Sequence, residues 1–388
     1  MKFKSIFNFV LVLGLFIAFI QCGKNSKNPV GSKYLEPRGS ENDTTFTASL
    51  QDTFYHTDIE CGISSYLYLG ETEYLKAKTL IWFSDFPDSG IVDSAVVTLT
   101  TYEIIGSLTG SFTASVHLIK SDWDEYETTW ETFEQNQVGE EIATFELDAA
   151  EIDANLDSLN ISFRLPVATV QSWMDTATAD DNYGICLSYS TSDFVVGFDS
   201  RALTDGPKLD LYVSQDTTQL HETLSPKQDT FIATSLQAER SDRFFITNGS
   251  ALRSFLDFDV TSIQEDATIN RALVVLHVDT LLSVPDNSSS FYIYAYPIEN
   301  SVTWPISSVE LDSTLSMLGT VSGDSASINI TTIVQNWTSG KSENYGLLLK
   351  GSSEIYNLHQ RAFFSTESDS LLRPRLEVYY TLPPSSRL

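Results

Sequence analysis

Thr332-Ile333-Val334-Gln335-Asn336-Trp337 followed by Asn344-Tyr345-Gly346, and Thr169-Val170-Gln171-Ser172-Trp173 followed by Asn182-Tyr183-Gly184, decide how this chain is read. In each stretch a threonine can cap a short helix, and the Val and Trp three residues apart share a face, so the indole drops onto whatever the helix covers. Asn and Gly then supply a turn that tolerates left-handed backbone, and an apolar run such as Gly346-Leu347-Leu348-Leu349 opens the next strand. The same succession occurring twice marks an internal duplication.

The match extends in both directions. Gln51-Asp52-Thr53-Phe54 recurs as Gln228-Asp229-Thr230-Phe231, Ala95-Val96-Val97 as Ala272-Leu273-Val274, Thr129-Trp130 as Thr303-Trp304, Ser200 as Ser365, and Pro207-Lys208-Leu209 as Pro374-Arg375-Leu376. The repeats span 47–214 and 227–382, and the polar, aperiodic stretch 215–226 reads as a linker between them. A period of more than about 150 residues means tandem whole domains rather than a solenoid, whose units run about 20 to 50. Inside each repeat, runs such as Ala114-Ser115-Val116-His117-Leu118-Ile119, Phe291-Tyr292-Ile293-Tyr294-Ala295-Tyr296 and Arg375-Leu376-Glu377-Val378-Tyr379-Tyr380 alternate in character and are cut by Gly, Pro, Asn, Asp and Ser. That is the signature of an all-β chain of two tandem antiparallel β-sandwich, jelly-roll-like domains.

A hydrophobic content of 42% and an aromatic content of 12% over 388 residues give such domains enough to bury, despite a net charge of −29. With 23 basic against 52 acidic residues, nucleic acid is not the expected partner, because neutralising phosphates takes clustered Lys and Arg. Residues 1–21 carry Lys2 and Lys4, then a nearly unbroken apolar run from Ile6 to Ile20, which has the form of an export signal. Phe19-Ile20-Gln21-Cys22 resembles a bacterial lipoprotein signal, which implies cleavage before Cys22 and lipidation of its thiol; Gln21 stands where that family has a small residue. Residues 22–46 read as a flexible tether. The expected location is exported and membrane-anchored, at the outer membrane or cell surface. In such a compartment Cys61 and Cys186 are permitted a bridge, and two unpaired thiols are the alternative.

Asp-Thr-Phe, a Phe255-Leu256-Asp257-Phe258-Asp259 strand, Thr-Trp, Val-Gln-x-Trp, Asn-Tyr-Gly and a closing Phe-x-Ser with Pro-Arg-Leu, in this order, resemble the DNRLRE domain, a carbohydrate-binding module of the family 96 type. The resemblance implies a β-sandwich accompanying polysaccharide-active or surface-layer proteins, some of them binding acidic algal polysaccharide. A chain this acidic repels a polyuronate unless arginines or a bridging Ca²⁺ intervene.

Signatures of zinc peptidases, α/β-hydrolases, nucleotide-binding loops and dithiol redox sites are absent. With so many acids, carboxylate pairs at any spacing can be found and say nothing. No cofactor is assigned; a structural Ca²⁺ is left open on Asp122-Trp123-Asp124-Glu125-Tyr126-Glu127, where acids alternate with aromatics. Trp123 and Tyr126, which lack counterparts in the second repeat, are ligand-binding candidates, whereas Trp130 and Trp304 read as core plugs. Arg243 and Arg361 are candidates for an acidic sugar if they share an exposed face. The expected function is a non-catalytic lipoprotein that binds polysaccharide or another cell-surface component, with a membrane contact made through its lipid. A structural envelope or adhesin-like spacer is the alternative, and a polysaccharide-degrading enzyme a second one.

Overall fold

A computed structural model describes residues 40–48, 54–133, 137–156, 159–175, 181–238, 240–284, 291–301 and 309–384. The export signal, Cys22, Asp52, Thr303 and Trp304 lie outside the described residues. In chain order the strands are β1 (Ser40–Thr47), β2 (Phe54–His56), β3 (Tyr66–Glu71), β4 (Leu75–Phe83), β5 (Ile91–Gly106), β6 (Ser111–Ile119), β7 (Val138–Asp148), β8 (Asn160–Arg164), β9 (Ile185–Tyr189), β10 (Phe194–Asp199), β11 (Lys208–Gln215), β12 (Thr218–Leu224) and β13 (Pro226–Ser235). They continue as β14 (Arg243–Thr247), β15 (Leu252–Leu256), β16 (Thr268–Val284), β17 (Phe291–Pro297), β18 (Met317–Ser322), β19 (Ser325–Asn329), β20 (Leu347–Gly351), β21 (Gln360–Phe364) and β22 (Arg375–Leu382). Helices α1 (Ala149–Ala154), α2 (Val167–Met174) and α3 (Thr331–Thr338) punctuate them.

These strands form two curled antiparallel sheets of eleven strands each, and the chain is a pair of all-β, sandwich-like units. In the first, the order β12-β11-β5-β10-β3-β4-β9-β6-β7 is joined by β13 beside β4 and β8 beside β5. In the second, β1 pairs β22 and β22 pairs β16; β16 also pairs β19 and β21; β17 lies between β18 and β20; and β15 lies between β20 and β2. Most of these partnerships recur from one unit to the other; the exceptions are the β3–β4 pairing, which β14 and β15 do not repeat, and the β18–β19 pairing, which β7 and β8 do not have. Each unit has its own interior: Leu67, Ile81, Val97, Phe163, Phe198 and Leu209 belong to one cluster, and Phe244, Phe258, Val274, Ile293, Phe363 and Leu376 to the other. Burying a side chain of this size contributes roughly 1.5–3 kcal/mol, so both cores are well supplied.

The pairing corrects the expected boundaries. Residues 215–226 are not a linker: β12 runs antiparallel to β11 from Leu209↔Leu224 to Gln215↔Thr218, and Leu220 and Leu224 lean on the first core. The end of the expected tether, from Ser40, is β1, and it pairs with the last strand of the chain from Ser40↔Leu382 to Thr47↔Arg375. The opening strands of the two repeats are therefore exchanged. β2 lies on β15 of the second unit with Phe54 opposite Ser254, while its counterpart β13 lies on β4 of the first with Phe231 opposite Thr79. Repetition in sequence shows which strands are equivalent, but not which partner each one joins. β12 also escaped notice because an edge strand that turns polar residues outward carries too little alternation to see.

Candidate functional site

The repeated motif residues act as fasteners. The Gln171 amide accepts from Val92 N at 2.8 Å and donates to Gly90 O at 3.2 Å, pinning α2 to the start of β5. Gln335 does the same between α3 and β16, accepting from Ile269 N at 2.9 Å and donating to Ala267 O at 3.1 Å. Trp173 and Trp337 are buried in their respective cores as expected. Asn182 donates to Phe83 O and accepts from Gly184 N; Asn344 donates to Phe258 O and accepts from Gly346 N. Gly184 sits at φ +83°, and a Cβ there would meet Ile81 O at 2.3 Å, so the turn requires glycine. Ser200 and Ser365 donate their hydroxyls to Ser64 O and Ser241 O. What the two repeats share is the means of holding the fold.

Trp123 is buried, not a platform for a sugar ring. Its indole N–H donates to Tyr183 O at 2.8 Å, and its ring packs with Leu80, Ile119, Phe133, Cys186 and Ile232. The loop that carries it closes over the outer face of the first unit's sheet, and Trp130 packs there under Lys76 and Lys78. Arg243 lies over the Phe364 ring and donates to Asp279 at 2.7 Å; Arg361 is fully buried, donating to Gln360 O at 2.9 Å. Neither arginine offers its charge to a ligand. Tyr126 is 53% exposed, the one sequence-chosen candidate at the surface.

Beside Tyr126 lies an ionic knot of two buried acids, Glu125 and Asp229, and the surface residue Arg201. Arg201 donates to both carboxylate oxygens of Glu125, Glu125 accepts from Asp229 N at 3.1 Å, and Asp229 accepts from Arg201 N at 2.7 Å. Gln228 accepts from Glu125 N at 2.9 Å. Burial pushes the Asp229 carboxyl up to about 7, because Arg201 is engaged chiefly by Glu125 and stands 3.7 Å away. Asp229 thus fixes the start of β13 in the first unit. The knot is closed by its own members. Among the described residues no three acids, histidines or cysteines are grouped to hold a metal ion. Cys61 and Cys186 are free, buried and in different clusters, so they form no bridge.

An open surface lies on the second unit. In β17 the inward residues Phe291, Ile293 and Ala295 enter the core, so Tyr292, Tyr294 and Tyr296 form a stripe on the outer face, where Tyr296 packs against the cluster of Phe255, Ile298 and Leu348 and leaves Tyr292 and Tyr294 as the open part. Tyr292 is 40% exposed, and the Tyr294 and Tyr296 rings are 5.8 Å apart. Register sets Tyr294 between Leu318 of β18, itself exposed, and Lys350 of β20. The Lys350 ammonium stands 5.7 Å from the Tyr296 ring centre, and Lys350 and Arg253 converge on Glu354, at 3.3 and 2.7 Å. Burial pushes the Tyr296 phenol up. The corresponding positions on β6 are Thr113, Ser115 and His117, so the first unit has no such stripe. The signal was present in the sequence as three tyrosines at alternate positions, beyond what a half-buried strand needs.

No family model matches the chain, and no curated protein does. Among solved structures, one titled "Structure of infectious bursal disease virus Gx strain" aligns at 9% identity over 90% of this chain and 76% of that one, with a TM-score of 0.10. A score that low carries no argument about fold or function.

Proposed function

We propose that the chain is a non-catalytic, exported, lipid-anchored protein that binds carbohydrate through the tyrosine face of its second unit. The observation that carries this reading is the stripe of Tyr292, Tyr294 and Tyr296 flanked by Leu318 and Lys350. Aromatic faces take the apolar side of a sugar ring, and the phenols and the ammonium offer hydrogen bonds to its hydroxyls. Because Lys350 and Arg253 share Glu354, little positive charge is left to attract a polyuronate, and a neutral polysaccharide fits better. Affinity gels cast with neutral and with acidic polysaccharides test the reading. Retardation in at least one neutral gel, reduced about tenfold or more by Tyr292→Ala with Tyr294→Ala, is expected. Equal retardation of wild type and variant would refute it.

A spacer without a small ligand is the second reading. It is favoured by the use of the repeated motif residues as internal fasteners, and unretarded migration in every gel would support it.

A further inference from the structure

We propose that the N-terminal arm, β1 and β2, is a donor strand that also completes the second unit of another copy of this chain, joining copies head to tail. The inference starts from how the exchange is organised. The first unit, built from the first repeat, is completed by the opening strands of the following repeat, β12 and β13. By the same rule the second unit takes the opening strands of the repeat that follows it. In this chain that place is filled by β1 and β2, the opening strands of the first repeat. Between chains, the next repeat is the first repeat of a second copy.

The ends are placed for this. Ser40 pairs with Leu382, so the start of β1 meets the end of β22 where, in the first unit, the short turn at Asp216 and Thr217 joins β11 to β12. A strand arriving from a second copy enters at that gap without threading any loop. The arm is also lightly held. Its side chains alternate between exposed and half-buried, Phe46 only leans on the core, and Ala48 is the buried residue that follows β1. β1 is laddered to β22 and β2 to β15, and these ladders are identical whether the arm comes from its own chain or another. Exchange of an identical element therefore loses no contact and costs little beyond joining two molecules. An edge strand stripped of its neighbour is in turn a ready template. Own-chain closure is intramolecular, so closed copies dominate in dilute solution and joined copies where the chain is crowded, as on a membrane. Joined copies would present several tyrosine faces to one polysaccharide.

The test uses register partners on the exposed side of the ladder, Asp43 and Tyr379. Residues directly opposite on antiparallel strands have Cβ atoms about 4.5–5.5 Å apart, close enough to bridge. Two full-length variants in a Cys22→Ser background, one with Asp43→Cys and one with Tyr379→Cys, are held together near millimolar concentration in mild urea, diluted and oxidised. A disulfide-linked pair containing one copy of each is expected, at least fivefold more abundant than when the two are mixed only after dilution. The double variant in one chain serves as the register control and is expected to close on itself. The proposal is overturned if mixed copies never link while the double variant does. It is equally overturned if the double variant fails to close, or if Asp43→Cys alone links to itself as readily as the mixture does.

Discussion

Replacing Gln171 or Gln335 by alanine examines the duplication at its most informative point, because the two side chains do one job in two units. Each removes a pair of hydrogen bonds, at 2.8 and 3.2 Å for Gln171 and at 2.9 and 3.1 Å for Gln335. Each strands the backbone N–H of a buried residue, Val92 or Ile269. A lost hydrogen bond costs about 1 kcal/mol net, and an orphaned buried donor about 1–3 kcal/mol, while alanine's better helix propensity returns a few tenths. The sum is about 2–3 kcal/mol for either variant. For units of this size that lowers Tm by roughly 4–10 °C. Unfolding followed by scanning calorimetry reads the shift that each variant causes. Shifts below about 1 °C, or a large shift for one variant and none for the other, would refute the claim that both repeats are fastened alike.

Glu125→Ala leaves the buried Asp229 N–H without its acceptor while Arg201 can turn to solvent, and chemical denaturation is expected to show a loss of about 1–3 kcal/mol, with Glu125→Gln losing less. The Asp229 carboxyl titrates near 7 when folded and near its ordinary 3.8 when unfolded, so the folded state holds the extra proton between those values. Its contribution to stability therefore declines as pH rises from about 4 to 7 and is level above. Asp229→Asn is expected to remove that decline from a plot of Tm against pH, and an unchanged profile would count against it. Burial pushes both free thiols up, Cys186 to about 12, so an alkylating reagent is expected to leave Cys61 and Cys186 unlabelled until the chain is unfolded by denaturant.

Local rules made much of this fold legible. The capped Val-Gln-x-Trp segments are helices α2 and α3, the Asn-Tyr-Gly turns carry Gly184 and Gly346 at positive φ, and the quoted alternating runs are β6, β17 and β22. Helix α1 went unread although Asp148 caps it by accepting from Glu151 N, because its apolar content is a single isoleucine among alanines and acids. The strand exchange was beyond reach, since a backbone ladder has no sequence code for which of two equivalent edges it joins. At the site the error ran the other way. Trp123 packs its loop onto the outer face of the first unit, and on the second unit Ile298, Val309 and Leu311 cover the equivalent Phe255 and Leu348 without a tryptophan. Arg243 and Arg361 carry charges that Asp279 and the interior engage. The tyrosine stripe passed as ordinary alternation, since a strand's sequence does not tell which of its two faces is left open.

Isothermal titration of the intact chain with a short oligosaccharide from whichever neutral polysaccharide retards it decides between one functional face and two equivalent units. Because the stripe belongs to β17 and the matching positions of β6 are Thr113, Ser115 and His117, the account predicts one site per chain, abolished by Tyr292→Ala with Tyr294→Ala. Two sites of equal affinity, or one that survives loss of both tyrosines, would contradict it.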